Sequence, residues 1–110
     1  MVYDPQEYTE AVLALVESIP PGRVMSYGAI ADALYDRFQR GSARRVGTIM
    51  AQSGGGVPWH RVVAGNGRLP PGHEVRARRL LAAEGVVFRG QHVRMAEYAW
   101  YPGDIDAGDG

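Results

Sequence analysis

The chain is 110 residues long, has no cysteine, and balances 12 Arg, with no Lys, against 12 acids for a formal charge of zero. That length predicts one small domain with a modest core. The missing cysteine excludes disulfides, thiolate metal sites and thiol nucleophiles together. No apolar run approaches the ~20 residues of a membrane span, and no basic-then-apolar start suggests a signal peptide, so a soluble cytoplasmic protein without membrane contacts is expected.

Asp4-Pro5-Gln6-Glu7 combines an N-cap acid, Pro at the first helical position and Glu at the third, the pattern of a capping box. Tyr8, Val12, Leu13, Leu15, Val16 and Ile19 then recur at helical spacing, which predicts a helix over 5–18 with one buried stripe. Pro20-Pro21-Gly22 ends it, and Arg23-Val24-Met25 reads as a short extended link. Ser26 caps a second predicted helix over 27–36, with Ile30, Ala31 and Leu34 facing inward. Residues 37–42 carry a turn with Gly41, and Ser42 caps a third helix over 43–52. Two short helices joined by a tight turn, the second basic at its start, read as a helix-turn-helix.

Ser53-Gly54-Gly55-Gly56 is expected to be a flexible loop, left in extended form through Val57-Pro58. Ala64-Gly65-Asn66-Gly67-Arg68 has hairpin-turn chemistry, with Asn-Gly supplying positive φ. Pro70-Pro71-Gly72 breaks the chain before a fourth helix over 73–84, which offers Val75, Leu80, Leu81 and Ala82 for burial and ends at Gly85. Val86 to Met95 resembles a small hairpin, the wing of a winged helix. Glu97 to Tyr101 fits one last turn that sets Trp100 against the body. The fold class expected is therefore mainly α: a small winged helix-turn-helix-like domain over 1–101 with a short β-hairpin, followed by a disordered, Gly- and Asp-rich acidic tail over 102–110.

The zero net charge hides a segregation. Residues 1–36 hold one Arg and six acids, residues 37–94 hold eleven Arg against Glu74 and Glu84, and residues 95–110 add four acids. A central block with nine excess positive charges is an electrostatic footprint for a polyanion. Exclusive use of Arg suits phosphates and base edges, because its guanidinium is a planar fork of donors; a GC-rich genome would produce the same bias.

Four segments occur in order: Gly22-Arg23-Val24-Met25-Ser26-Tyr27-Gly28-Ala29-Ile30-Ala31, Ala43-Arg44-Arg45-Val46-Gly47, Pro58-Trp59-His60-Arg61-Val62-Val63 and Leu81-Ala82-Ala83-Glu84-Gly85. In order and spacing they are similar to the C-terminal, DNA-binding domain of the O6-alkylguanine-DNA alkyltransferases, over roughly residues 5–101. The family's nucleophile lies in a Pro-Cys-His-Arg-Val run. Here Trp59 stands in place of the Cys, so the chain resembles an alkyltransferase-like protein, and the resemblance implies recognition of damage without its removal.

The resemblance also implies roles. Arg44 becomes the finger that enters the minor groove and fills the gap left by a flipped nucleotide; the alternative is an ordinary phosphate contact, the role assigned to Arg45. Ser42, Ala43 and Gly47 accompany them at the DNA, the small residues allowing close approach. Tyr27 would rotate the phosphate 3′ to the target, or else pack the helix junction. Pro58, Trp59, His60, Arg61 and Val62, with Tyr27, would form the alkylguanine pocket. His60 and Glu84 match a proton relay that has no thiol to activate and are read as structural. Some members carry a loop Arg that contacts the modified guanine; that position falls on Gly72, leaving Arg68 as the candidate.

The expected function is a non-enzymatic sensor that binds O6-alkylguanine in double-stranded DNA, flips it, and flags it for nucleotide excision repair proteins, as a monomer with no metal or cofactor. One rival is a winged-helix transcription regulator, which would prefer particular undamaged sequences. The other is an enzyme acting on the flipped base. It would need a placed acid, base or metal, yet the basic block holds just two acids and no His cluster with ligand spacing.

Overall fold

A computed structural model of the chain describes residues 3–103. The acidic tail expected from residue 102 lies, from residue 104 onward, outside the described residues. Helix α1 (Pro5–Ser18) is capped by Asp4, whose carboxylate accepts from the Gln6 N–H at 2.9 Å. Tyr8, Val12 and Val16 are its fully buried face, and Ala11 joins them. Leu13 and Leu15, expected inside, are half-buried because they flank that stripe.

Helix α2 (Tyr27–Phe38) starts at Ser26, whose hydroxyl accepts from the Ala29 N–H at 3.0 Å. It runs two residues past its expected end and stops at Gln39, which takes a left-handed φ of 56° and donates its N–H to the Tyr35 carbonyl. Gly41, at φ 111°, then turns the chain into α3 (Ala43–Ser53). Ser42 caps α3 by accepting from the Arg45 N–H at 3.1 Å. Val46 and Ile49 are buried and fix α3 onto α1 and α2. The glycine run after it is not a flexible loop: Gly54–Gly56 forms a 3-10 turn, with Gly54 buried against Met50.

A second 3-10 turn, Trp59–Arg61, leads into a parallel strand pair that periodicity does not reveal. Strand β1 (Met25–Ser26) pairs with β2 (Val62–Val63), with Met25 opposite Val62 and Ser26 opposite Val63. Neighbouring side chains along a strand point to opposite faces. Accordingly Met25 and Val62 enter one hydrophobic cluster, shared with α1–α3, while Val24 and Val63 enter a second, shared with α4 and the wing. The strand pair is the seam between two cores.

Helix α4 (Glu74–Ala83) buries Ala77 and Leu81, with Leu80 half-buried; Val75, expected inside, is 75 % exposed, and Ala82 is exposed too. Packing decides the face. The helix lies against the Trp59–Arg61 turn, and a methyl group at position 77 permits that approach. The wing is the antiparallel pair β3 (Phe88–Arg89) and β4 (His92–Val93). In the turn over residues 64–68, Gly67 of the Asn-Gly pair supplies the expected positive φ, 90°, and Asn66 accepts the Arg68 N–H at 3.1 Å. The last turn, α5 (Met95–Tyr98), sits slightly earlier than expected. Trp100 follows it, donates its backbone N–H to the Val24 carbonyl, and packs on the first core. The architecture is the mainly helical, winged helix-turn-helix-like one expected, with a short β-hairpin.

Candidate nucleic-acid interface and base pocket

Arg44 and Arg45 occupy the first turn of α3, both exposed. Neither forms an ion pair with a described residue. Free backbone N–H groups and the positive end of the helix dipole add to their charge, so this end of α3 attracts anions. The buried pair Val46 and Ile49 sets the rotation of the helix, and Arg44 therefore points outward. Arg45 lies close enough to oppose the rise in the Tyr8 pKa that burial and Tyr3 produce.

Tyr27 opens α2 at the seam and is half-buried. Its ring lies beside Gly47, where an added Cβ would sit 3.9 Å from Tyr27 Cδ1. Gly47 thus lets α3 pass close to the start of α2. Burial pushes the Tyr27 phenol pKa upward, so at neutral pH it stays protonated and can donate a hydrogen bond.

The Trp59–Arg61 turn sends its side chains in two directions. His60 and Arg61 turn inward to Glu84, at the C-terminus of α4. His60 Nε2 lies 2.8 Å from Glu84 Oε2. Arg61 grips the same carboxylate through Nε and Nη2, at 2.7 Å for the shortest contact, and spends Nη1 on the Ile19 carbonyl at 2.9 Å. The Gly22 N–H donates to Glu84 Oε1 at 2.9 Å. Burial of the carboxyl opposes its ionisation, but hydrogen bonds from Arg61, Gly22 and His60 outweigh it and hold the pKa at about 2, against an ordinary 4.5. One carboxylate thereby ties together the end of α1, the link to β1, the 3-10 turn and α4.

Trp59 turns the other way and borders a cavity of about 680 Å3, a size typical of small-molecule pockets. Tyr27 and Met50, packed on the first core, line it together with Gly47 of α3; Trp59, packed on the second, lines it together with Pro70 and Pro71, with His73 and Arg76 from the start of α4 and Val62 from the seam. The His73 ring centroid is 5.6 Å from that of Trp59, and the Arg76 guanidinium carbon is 5.7 Å from the Trp59 ring centroid.

Of the residues singled out in the sequence, the structure brings Tyr27, Gly47, Trp59 and Val62 to this cavity. Ser42, Ala43, Arg44 and Arg45 form the neighbouring end of α3. Pro58, His60 and Arg61 shape the turn without lining the cavity. Arg68 does not line it either, because its backbone bridges to His92 on the wing. His73 and Arg76 were missed; the signal that could have found them is their i, i+3 spacing directly after the Pro70-Pro71-Gly72 break. No group of His, Asp and Glu among the described residues could hold a metal ion.

A helix-turn-helix with a basic helix start and an aromatic cavity beside it is the arrangement of a DNA-binding domain. The family model for the 6-O-methylguanine DNA methyltransferase DNA-binding domain matches residues 7–86, and the chain belongs to that family, on its alkyltransferase-like branch. A protein from Escherichia coli (strain K12) named a DNA base-flipping protein is 33% identical over 98 residues, covering 84% of this chain and 74% of its own. Another of that name, from Vibrio parahaemolyticus, is 29% identical over 100 residues, covering 87% and 98%. Atl1 of S. pombe, solved in complex with damaged DNA containing O6-carboxymethylguanine, superposes with a TM-score of 0.71 at 31% identity, over 88% of this chain and 97% of its own. A second S. pombe structure, ATL in complex with DNA, gives a TM-score of 0.67 at 29% identity, over 92% and 100%.

Proposed function

We propose that this protein binds duplex DNA through the minor groove, rotates an O6-alkylated guanine into the cavity beside Trp59, and holds it there unrepaired as a mark for nucleotide excision repair. The observation that carries the reading is the cavity itself, bordered by an indole at the position of the family's reactive thiol and by Tyr27 and Gly47 of the helix-turn-helix. An indole offers an apolar face to an alkyl group and one N–H donor, but no nucleophile at neutral pH. His60 and Arg61 are committed to Glu84, which leaves them structural duties. The named relatives and the DNA-bound S. pombe structures support base flipping at damage.

Extruding a nucleotide costs a few kcal/mol, less where pairing is already weakened. An alkyl group on O6 disrupts pairing with cytosine, so the damaged base comes out more cheaply and is then retained by apolar contact. Arg44 fills the space it leaves, as a planar cation able to stack between bases. Arg44→Ala should accordingly weaken binding to lesion-bearing duplex by more than ~1 kcal/mol, read as Kd by fluorescence anisotropy; an unaltered Kd removes the finger assignment. With roughly five Arg meeting phosphates, log Kd should follow log salt with a slope of magnitude about 4–5. A slope near zero would remove the electrostatic argument.

The deciding measurement compares two otherwise identical short duplexes, one with a single O6-methylguanine and one with guanine, with the DNA recovered for mass analysis. Much tighter binding to the lesion with the methyl group retained is the expected result. Equal binding to both duplexes would indicate a sequence-reading regulator, and loss of the methyl group or the base would indicate an enzyme.

A further inference from the structure

Resting on that reading of the cavity, we infer that Arg76 makes it selective for adducts that end in an anionic group, such as a carboxylate, over neutral alkyl chains of the same length. Among the described residues that line the cavity, Arg76 is the one Arg, and no Asp or Glu lines it. Its guanidinium is not held elsewhere. It forms no ion pair and donates no hydrogen bond to a described residue; its contact is the face of Trp59. Arg78, two residues on, is by contrast committed to the wing, donating to the Gly90 carbonyl at 2.9 Å and lying over Phe88 at 4.4 Å.

The surroundings amplify this charge. Arg76 is exposed at the cavity's edge, while Met50, Val62, Pro70 and Pro71 make much of the lining apolar, so a charge-assisted hydrogen bond formed on the cavity side is partly shielded from solvent. A guanidinium lying over an indole at 5.7 Å from its centroid keeps its edge free, and that edge carries the paired N–H groups that match a carboxylate. A neutral alkyl adduct would gain apolar contact with Trp59 alone. An O6-carboxymethyl group would gain that contact and a bidentate partner.

The test measures Kd for the intact chain and for Arg76→Gln and Arg76→Lys on four duplexes that differ at one guanine: O6-carboxymethyl, O6-propyl, O6-methyl and unmodified. The intact chain should bind the carboxymethyl duplex roughly ten-fold more tightly than the propyl one. Arg76→Gln should reduce that ratio to about two or less, and Arg76→Lys should keep an intermediate ratio because the charge remains without the fork. A similar loss on all four duplexes would make Arg76 an ordinary phosphate contact and overturn the inference, as would a carboxymethyl-to-propyl ratio near one in the intact chain. Either result leaves the proposed function standing if O6-methylguanine is still preferred to guanine. If no adduct is preferred to guanine, the functional reading fails and the inference fails with it.

Discussion

Glu84→Gln is expected to lower the unfolding free energy by about 3 kcal/mol at neutral pH, a large fraction of the 5–15 kcal/mol typical of a small domain. The substitution leaves the Arg61 guanidinium, 15% exposed, without its counter-charge, and buried cations that lose a partner are costly. The pH profile gives an independent readout. Because the folded-state pKa of Glu84 is about 2 and its ordinary value 4.5, the folded chain holds fewer protons on this group than the unfolded chain between those limits. The stabilisation is therefore complete above pH 4.5 and disappears as the pH falls toward 2. The gap in urea midpoint between the parent chain and the Gln variant should narrow from pH 7 to pH 3, because part of the stabilisation is already lost there. A variant as stable as the parent at pH 7 would mean that the carboxylate is not what holds the four segments together.

Gly41→Ala should be of similar size, about 3 kcal/mol, for two reasons that act at once. The backbone at φ 111° lies where L side chains are strained, and a Cβ there would overlap the Tyr8 hydroxyl. Tyr8 cannot withdraw: it is fully buried, with Phe38 edge-on at 5.1 Å. The turn also sets where α3 begins, so DNA affinity should fall together with the denaturation midpoint. Adding Tyr8→Phe removes the overlapping oxygen and should recover part of the loss, while the φ strain stays. A loss below ~1 kcal/mol in the single variant would show that the turn gives way without disturbing Tyr8.

What the sequence made legible was local. The caps at Asp4, Ser26 and Ser42, the helices they start, and the wing all follow from chemistry within a few residues. The site was legible through the linked motifs, since the spacing around Tyr27, Arg44, Trp59 and Glu84 carried the family resemblance. Long-range placement was not legible. The β1–β2 pair joins Met25 to Val62 across an intervening helix-turn-helix, and two-residue strands leave no periodic trace. The buried face of α4 was misjudged because hydrophobicity favoured Val75, whereas close packing on the Trp59 turn required Ala77. Arg68 was chosen and Arg76 missed because their distance from Trp59 depends on how the Pro70-Pro71-Gly72 segment turns, and a positive φ of 82° at Gly72 redirects the chain before α4.

The two cores meet along a seam two residues wide, and the cavity straddles that joint, with Tyr27 and Met50 on one hydrophobic body and Trp59 on the other. A base seated there would span the joint. It would touch both bodies at once and add contacts across a joint that otherwise rests on the strand pair and the Glu84 carboxylate. Whatever arrives next at the lesion would then meet two bodies braced against each other by the base itself.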